Sequence, residues 1–536
     1  MAFYNLSSQP YKYPIKISLI VPLKPIFLLL IPLSLSAFTH IWNPAGFPDI
    51  FFDEGVYVGR ALHILAGLGP QETQDYYDHP FFGQIFLAAV FKLIGYPDNM
   101  LSSSVNDSIQ SLYATPRILM GVLAVIDTFL IYKMTERRYN TSIAFLASIL
   151  FAVMPMSWFT RRIMLDSILL PLLLSSILIA VWLRKKENIG NAVEENGYTK
   201  KYNKMPLVLL SGIFLGLAIF TKIPVVVMIP LVGYLIFSNS NRKLRTLGLW
   251  LIPVILIPLI WPAYSITKGQ FEYWLDTAIY QATRNGAPLF DTLAYNFTID
   301  PVLYILFFGG LILAALRKNL FILLWAIPFL IFLYFINWAP YTSLIPLIPV
   351  FCISSAILLH DIVTFVIRGR YARWALWSII SVIGIFGLLS TSVLVTLNVT
   401  SAQFQTMSFV TKFFQNDKNA AETYMLVSSP VYSWIFNYVY KINFVLRDYY
   451  DYEYQSIKPD KILLIADGQF HYDLEDKILS QLYNDTQTIK AFKPNEILDT
   501  LDTEKYPYTS LNENNEGLSD IEVRLRNNDK RISEPR

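Results

Sequence analysis

Phe51-Phe52-Asp53-Glu54-Gly55, completed by Tyr77-Asp78-His79-Pro80, is the stretch around which the chain is organised. It follows the first long apolar run, 17–39, and sets two adjacent carboxylates, then a carboxylate and an imidazole, into one polar loop. The rest is mostly apolar. Of 536 residues, 54% are hydrophobic and only 15% are charged, where a soluble domain carries about 25%. Most of the chain is therefore read as dissolved in lipid. A formal charge of +3 gives no argument for a nucleic-acid partner. The single cysteine, Cys352, lies in an apolar run, which excludes an intrachain disulfide. The first apolar run exceeds the roughly 7–15 residues of a cleavable leader, so it reads as a span that is retained.

Further apolar segments fall near 80–95, 115–132, 141–159, 163–183, 205–221, 223–237, 246–266, 299–316, 320–336, 341–363 and 374–397. Most approach the ~20 residues that a crossing helix needs. The distribution of basic residues decides which of them cross. With the N-terminus inside (Lys12, Lys16, Lys24) and 80–95 lying on the surface, the inner loops are Lys133–Arg138, Arg184–Lys204, Arg242–Arg245, Arg317–Lys318 and Arg368–Arg373, all basic. If 80–95 crossed, all five would fall outside. The reading is eleven spans, with the C-terminus outside.

The loop 40–114 then lies outside in one piece. In it, Val58, Leu62 and Leu65 recur at helical spacing, with Arg60 and His63 on another face, as in a helix lying on the membrane. The loop 267–298, with Glu272, Trp274, Asp276, Tyr280 and Arg284, is a second candidate lid over the same face. Beyond the membrane region, 1–398, the pattern changes. Tyr424–Ser429, Asn443–Arg447, Lys461–Asp467 and Thr488–Phe492 read as strands among short helices, giving a small α/β domain over 399–508. The polar residues 509–536 read as a disordered tail.

Adjacent helical residues point about 100° apart, so Asp53 and Glu54 cannot face one atom in the same way. One can act on a substrate while the other orients a neighbour or caps the helix. A carboxylate desolvated at a membrane surface can serve as a general base. The plainer reading is a helix start, where acids are favoured. Likewise His79-Pro80 can simply open the next helix. Asp127, Asp166 and Lys222 lie in or beside apolar runs, and Arg117, Arg161 and Arg162 at their outer ends, where ionisable groups mark function or pairing. Arg162 and Asp166, spaced i,i+4, can pair with each other. Alternatively the arginines and Lys222 bind a phosphate. Asp127 reads as a packing residue. His471 reads as a surface residue and Asp448–Asp451 as a loop. No P-loop, HExxH or clustered His/Cys set is present.

Taken together, the first span, Phe-Asp-Glu, an amphipathic helix, His-Pro and an arginine opening the second span resemble the GT-C membrane glycosyltransferases. The resemblance is nearest to the dolichyl-phosphate-mannose protein mannosyltransferases of glycosyltransferase family 39, with the lipid A aminoarabinose transferases as relatives. It extends over about 17–366 through Thr160-Arg161-Arg162 with Asp166, through Gly212-Ile-Phe-Leu-Gly216-Leu-Ala-Ile-Phe-Thr-Lys222, and through Pro340-Tyr341 with Leu344-Ile345-Pro346. It implies a polytopic GT-C fold and a sugar donor on a polyprenyl phosphate. The acceptor, a protein, lipid or glycan hydroxyl, attacks the anomeric carbon of the donor outside the membrane, with inversion. Asp53 matches the family's base. Glu54 and His79 would position groups around it, with Asp78, Asp166, Arg284 and Tyr341 in support. Arg117, Arg161, Arg162 and Lys222 would meet the departing phosphate, and apolar grooves would hold the polyprenyl chain. No cofactor or metal is expected. Two departures stand out. His79-Pro80-Phe81-Phe82-Gly83-Gln84 lacks the lysine of the family's His-Pro-Pro-Leu-Gly-Lys, and the C-terminal region does not resemble the β-trefoil insert of the eukaryotic protein mannosyltransferases; the Trp-Trp-Asp signature of oligosaccharyltransferases is also absent, which counts against transfer of a whole glycan to asparagine. A flippase for a lipid-linked sugar and an inactive relative are the alternative readings.

Overall fold

The computed structural model describes residues 25–71, 77–183, 204–284, 286–367, 370–416, 420–455, 461–493 and 520–526. The basic N-terminal residues Lys12, Lys16 and Lys24, nearly all of the linker Arg184–Lys204 and most of 509–536 lie outside them.

The chain is predominantly helical. It opens with α1 (Pro25–Ile41), α2 (Phe52–Leu65), α3 (Phe82–Ile94), α4 (Val105–Arg138), α5 (Thr141–Val153), α6 (Leu165–Trp182) and α7 (Met205–Thr221). It continues with α8 (Ile229–Ser238), α9 (Lys243–Leu256), α10 (Ile260–Thr267), α11 (Phe271–Thr283), α12 (Leu289–Ile299), α13 (Pro301–Leu316), α14 (Leu320–Ile336), α15 (Ile348–Val366), α16 (Arg370–Thr396) and α17 (Ser401–Asn416). Among the described residues, five helices are long and apolar enough to cross a membrane, or six if the bent pair Thr141–Val153 and Pro155–Arg161 is one span. Six more apolar helices, α3 among them, run 10–17 residues. Length and composition thus support a multi-pass bundle with fewer full-length spans than the eleven expected.

Helix packing explains the Gly212…Gly216 spacing. A Cβ at either glycine would lie 2.5 Å from the Trp250 carbonyl oxygen or 2.6 Å from that of Pro253. The pair therefore lets α7 lie directly against the backbone of α9, as small-xxx-small faces do in lipid. Thr221 ends α7, and Lys222 caps it before the turn Ile223–Met228.

Past α17 the chain forms a four-stranded sheet of β1 (Met425–Val427), β2 (Ile462–Ala466), β3 (Gln487–Phe492) and β4 (Ile521–Arg526), in the order β1-β2-β4-β3. β1 and β2 are parallel; β4 is antiparallel to both its neighbours. The unbroken apolar run of β2 is buried on both faces. Leu463 and Ile465, with Val523 and Leu525, join the cluster that holds Val58 and Leu62 of α2 and Phe91 of α3. Ile462, Leu464 and Ala466 pack instead with Phe470, Leu479 and Leu482. One hydrophobic core therefore runs from the outer loop 40–114 into the sheet.

Two expectations are corrected here. Asn443–Arg447 forms no strand, only an isolated bridge from Val445 to Leu426. The expected disordered tail supplies β4, because Ile521, Val523 and Leu525 alternate onto the buried face while Glu522 and Arg524 pair at 2.5 Å beside it. The sheet thus continues past 508, to 526.

Candidate active site

α2 sorts the two carboxylates. Asp53 faces a cavity of about 980 Å³, whereas Glu54 turns into the protein, is fully buried and does not line it. Glu54 accepts from the Arg117 guanidinium at 2.5 Å and from the Ile163 N–H at 3.0 Å. Glu54, expected beside the base, instead has both oxygens engaged within the protein and anchors α2.

The three arginines are corrected in the same way. Arg117 also donates to the carbonyls of Pro44, Pro48 and Asp49, at 2.7–3.2 Å. Arg161 donates to the carbonyls of Thr39, Trp42, Asn43 and Phe47. Arg162 binds the carbonyl of Asp49 at 2.6 Å and pairs with its carboxylate. All three are buried, and none lines the cavity. They tie down the turn 39–49 that leads to Asp53. Arg162 therefore does not pair with Asp166. The partner of Asp166 is Lys222, at 2.6 Å. Asp166 is buried behind the cavity, and Lys222 reaches into it. Tyr341 packs its ring against Phe51 and Phe159 beneath the site. Asp127 is buried within α4 and does not line the cavity.

Asp53, Asp78, His79, Lys222 and Arg284 are brought together on the cavity wall. Burial pushes the Asp53 carboxyl up to about 6, against the pull of Lys222. It is thus a base poised near neutral pH. The Tyr57 hydroxyl, one turn on, lies 3.4 Å from its Oδ2. Arg60 pairs with Asp78 at 2.7 Å, and the His79 N–H donates to the same oxygen at 2.8 Å. Burial pushes Asp78 upward, but Arg60 and these donors outweigh it, and the carboxyl stays below its ordinary value. Burial lowers His79 to about 4, against the attraction of Asp78. Arg284 stacks on Trp338 at 3.9 Å and donates to Gln281 at 3.0 Å. Residues of the segment 267–298 line the same cavity. The Tyr77 hydroxyl donates to Gln270 at 2.6 Å, and Trp274 and Arg284 face the cavity.

Below this polar end the same cavity continues as an apolar slot lined by Ile219, Ile223, Val226, Val254, Leu259 and Phe332. Sequence reasoning missed Tyr57 and Arg60 as site residues, although i+4 and i+7 from Asp53 put them on its face of α2. It also missed Arg447, Asp448, Tyr450, Gln469 and Asp473, which line the cavity from the sheet region. Their separation of about 400 residues from Asp53 leaves no sequence signal.

Comparison with known proteins gives the class. Residues 78–266 match the family model described as dolichyl-phosphate-mannose-protein mannosyltransferase. No curated protein sequence matches the chain. The chain is similar in structure to the Archaeoglobus fulgidus oligosaccharyltransferase crystallised with zinc and sulfate (12% identity, 86% of this chain, 71% of that chain, TM-score 0.55). It is likewise similar to that organism's oligosaccharyltransferase AglB with an inhibitory peptide and a dolichol-phosphate (10%, 83%, 70%, 0.53). ArnT from Cupriavidus metallidurans, bound to undecaprenyl phosphate, is a third match (12%, 93%, 97%, 0.50). The chain has the GT-C fold of membrane glycosyltransferases. Within it, the segment running from Asp78 to the end of α10 carries the mannosyltransferase family's sequence pattern.

Proposed function

We propose that this protein is an integral-membrane inverting glycosyltransferase. It moves a sugar, with a mannose-like hexose favoured, from a polyprenyl or dolichyl phosphate to an acceptor hydroxyl outside the membrane. The observation that carries this reading is a single cavity in which an apolar slot opens onto Asp53 between two cations, Lys222 and Arg284. An isoprenoid chain fits the slot and a phosphate fits the cations. Asp53 takes the proton of the acceptor hydroxyl, and that oxygen bonds to the anomeric carbon from the side opposite the phosphate. The bond from the anomeric carbon to the phosphate oxygen breaks with its electron pair, and Lys222 and Arg284 offset the charge that develops on the lipid phosphate. The products are the glycosylated acceptor and the free polyprenyl phosphate. The match of 78–266 to a dolichyl-phosphate-mannose family, and the lipid phosphates held by two structural neighbours, support the same donor class.

In this reading the six long or bent spans and five of the shorter apolar helices make eleven crossings of the cell membrane. α3 then lies on the outer surface and the sheet stands outside. The transfer is read as independent of a metal ion. Membranes containing the chain, supplied with radiolabelled polyprenyl-phosphate mannose or glucose, should incorporate label into an acceptor fraction, and should do so in excess EDTA. Absence of incorporation from both donors contradicts the proposal.

A further inference from the structure

The cavity has a polar wall that the donor does not account for. It is built from the sheet region and fixed to the catalytic helix by direct contact. A Cβ on Gly55 would lie 2.0 Å from the Pro430 carbonyl oxygen, so the segment after β1 sits on the backbone of α2 two residues from Asp53. The Tyr113 hydroxyl donates to the Val431 carbonyl, and the Trp434 indole N–H donates to Tyr113 at 2.9 Å. Ser433 then donates to the Arg447 carbonyl at 2.6 Å, which places Asp448 and Tyr450 on the cavity. Beside them, Asp473 accepts from the Tyr449 hydroxyl and from the Gln469 amide at 3.2 Å.

We propose that Asp448, Tyr450, Gln469 and Asp473 form the acceptor subsite, and that it selects a neutral polyhydroxylated acceptor, a glycan or glycoside. This rests on the transferase reading above. Inversion requires the acceptor to approach from the side away from the phosphate. Lys222, Asp78, Arg60 and Arg284 are the charges that act on Asp53, whereas the charged neighbours of Asp448 are Asp451 and Arg447 of its own segment. The wall is therefore electrostatically separate from the phosphate end. Its chemistry matches sugar hydroxyls. Carboxylates accept from vicinal O–H groups, an amide both accepts and donates, and the ring of Tyr450, 45% exposed, offers a platform to the C–H face of a pyranose. Burial pushes the Asp448 carboxyl up to about 7, so near neutral pH it can donate as well as accept. Two carboxylates also disfavour an acidic acceptor.

The test uses the full chain in proteoliposomes with polyprenyl-phosphate mannose. The acceptors are octyl α-mannoside, octyl β-glucoside and an uncharged serine/threonine peptide. Asp448→Asn keeps a capping side chain at the turn Tyr449–Tyr452, so the fold is preserved. Asp448→Asn and Asp473→Asn should each raise the KM for the glycoside about tenfold, the loss of one hydrogen bond to a charged group, with the donor KM unmoved. Tyr450→Ala should do the same and Tyr450→Phe should restore it. A wild-type preference for the peptide, or a glycoside KM unchanged in both Asp variants, overturns the acceptor assignment while leaving the transferase intact. Failure of the wild type to transfer to any acceptor, or to release sugar to water, overturns both readings.

Discussion

At Asp53, burial and chemistry work against each other. The folded protein holds its proton more tightly than the unfolded chain does, because burial raises the carboxyl from 3.8 to about 6. That contribution to stability is full below about pH 4 and is lost as pH rises through about 6. Asp53→Asn should therefore melt higher than wild type at pH 7.5, by about 2–4 °C per kcal/mol recovered, and no higher at pH 4. Differential scanning fluorimetry in detergent reads this. The base must be ionised to act, so kcat/KM should rise with pH up to about 6 and level off above it. Lys222→Gln should raise the donor KM and lower kcat in a transfer assay, because it removes a cation from the phosphate end. Arg162→Ala should behave differently. It removes the buried cation that pairs with Asp49, at a cost of about 3–5 kcal/mol, and should appear as loss of folded protein in size-exclusion chromatography. The residue types at 117, 161 and 162 were legible as outer-end cations, but their role was not. Their partners are mostly backbone carbonyls of the turn 39–49, and a carbonyl has no identity in a sequence.

Among the elements, α2 carries most of the argument. Its N-terminal turn presents Asp53 to the cavity and Glu54 to Arg117, while Val58 and Leu62 bury into the core shared with the sheet. Full burial of such a side chain is worth about 1.5–3 kcal/mol. The helix was readable from its apolar spacing and the polar motif at its start. Its docking surface was not, since Gly55 meets a carbonyl 375 positions away in sequence. Gly55→Ala should force α2 and the Pro430 segment apart, costing about 1–3 kcal/mol. Limited proteolysis should then cut faster after residue 416 while the membrane helices stay protected. β4 was missed for a related reason. Its alternation occupies only six residues inside a polar stretch, and the strand is defined by its pairing with β2 and β3.

In the whole molecule, the helical bundle supplies an apolar slot, the segments around it supply Asp53, Lys222 and Arg284, and the sheet region supplies a second polar wall. All three meet in one cavity. The GT-C architecture was legible because its signals are spread over several motifs whose order survives at low identity. The second wall was not, because only folding brings 447–473 to Asp53. The claim that joins these levels is that Asp53 is the base for sugar transfer from a polyprenyl phosphate. It is tested most directly by comparing wild type and Asp53→Asn, at equal membrane content, for label transferred from polyprenyl-phosphate mannose at pH 7.5. The account predicts transfer by the wild type and loss of at least about 100-fold in the variant, the lower range for a general base. Equal transfer by the two proteins would contradict it.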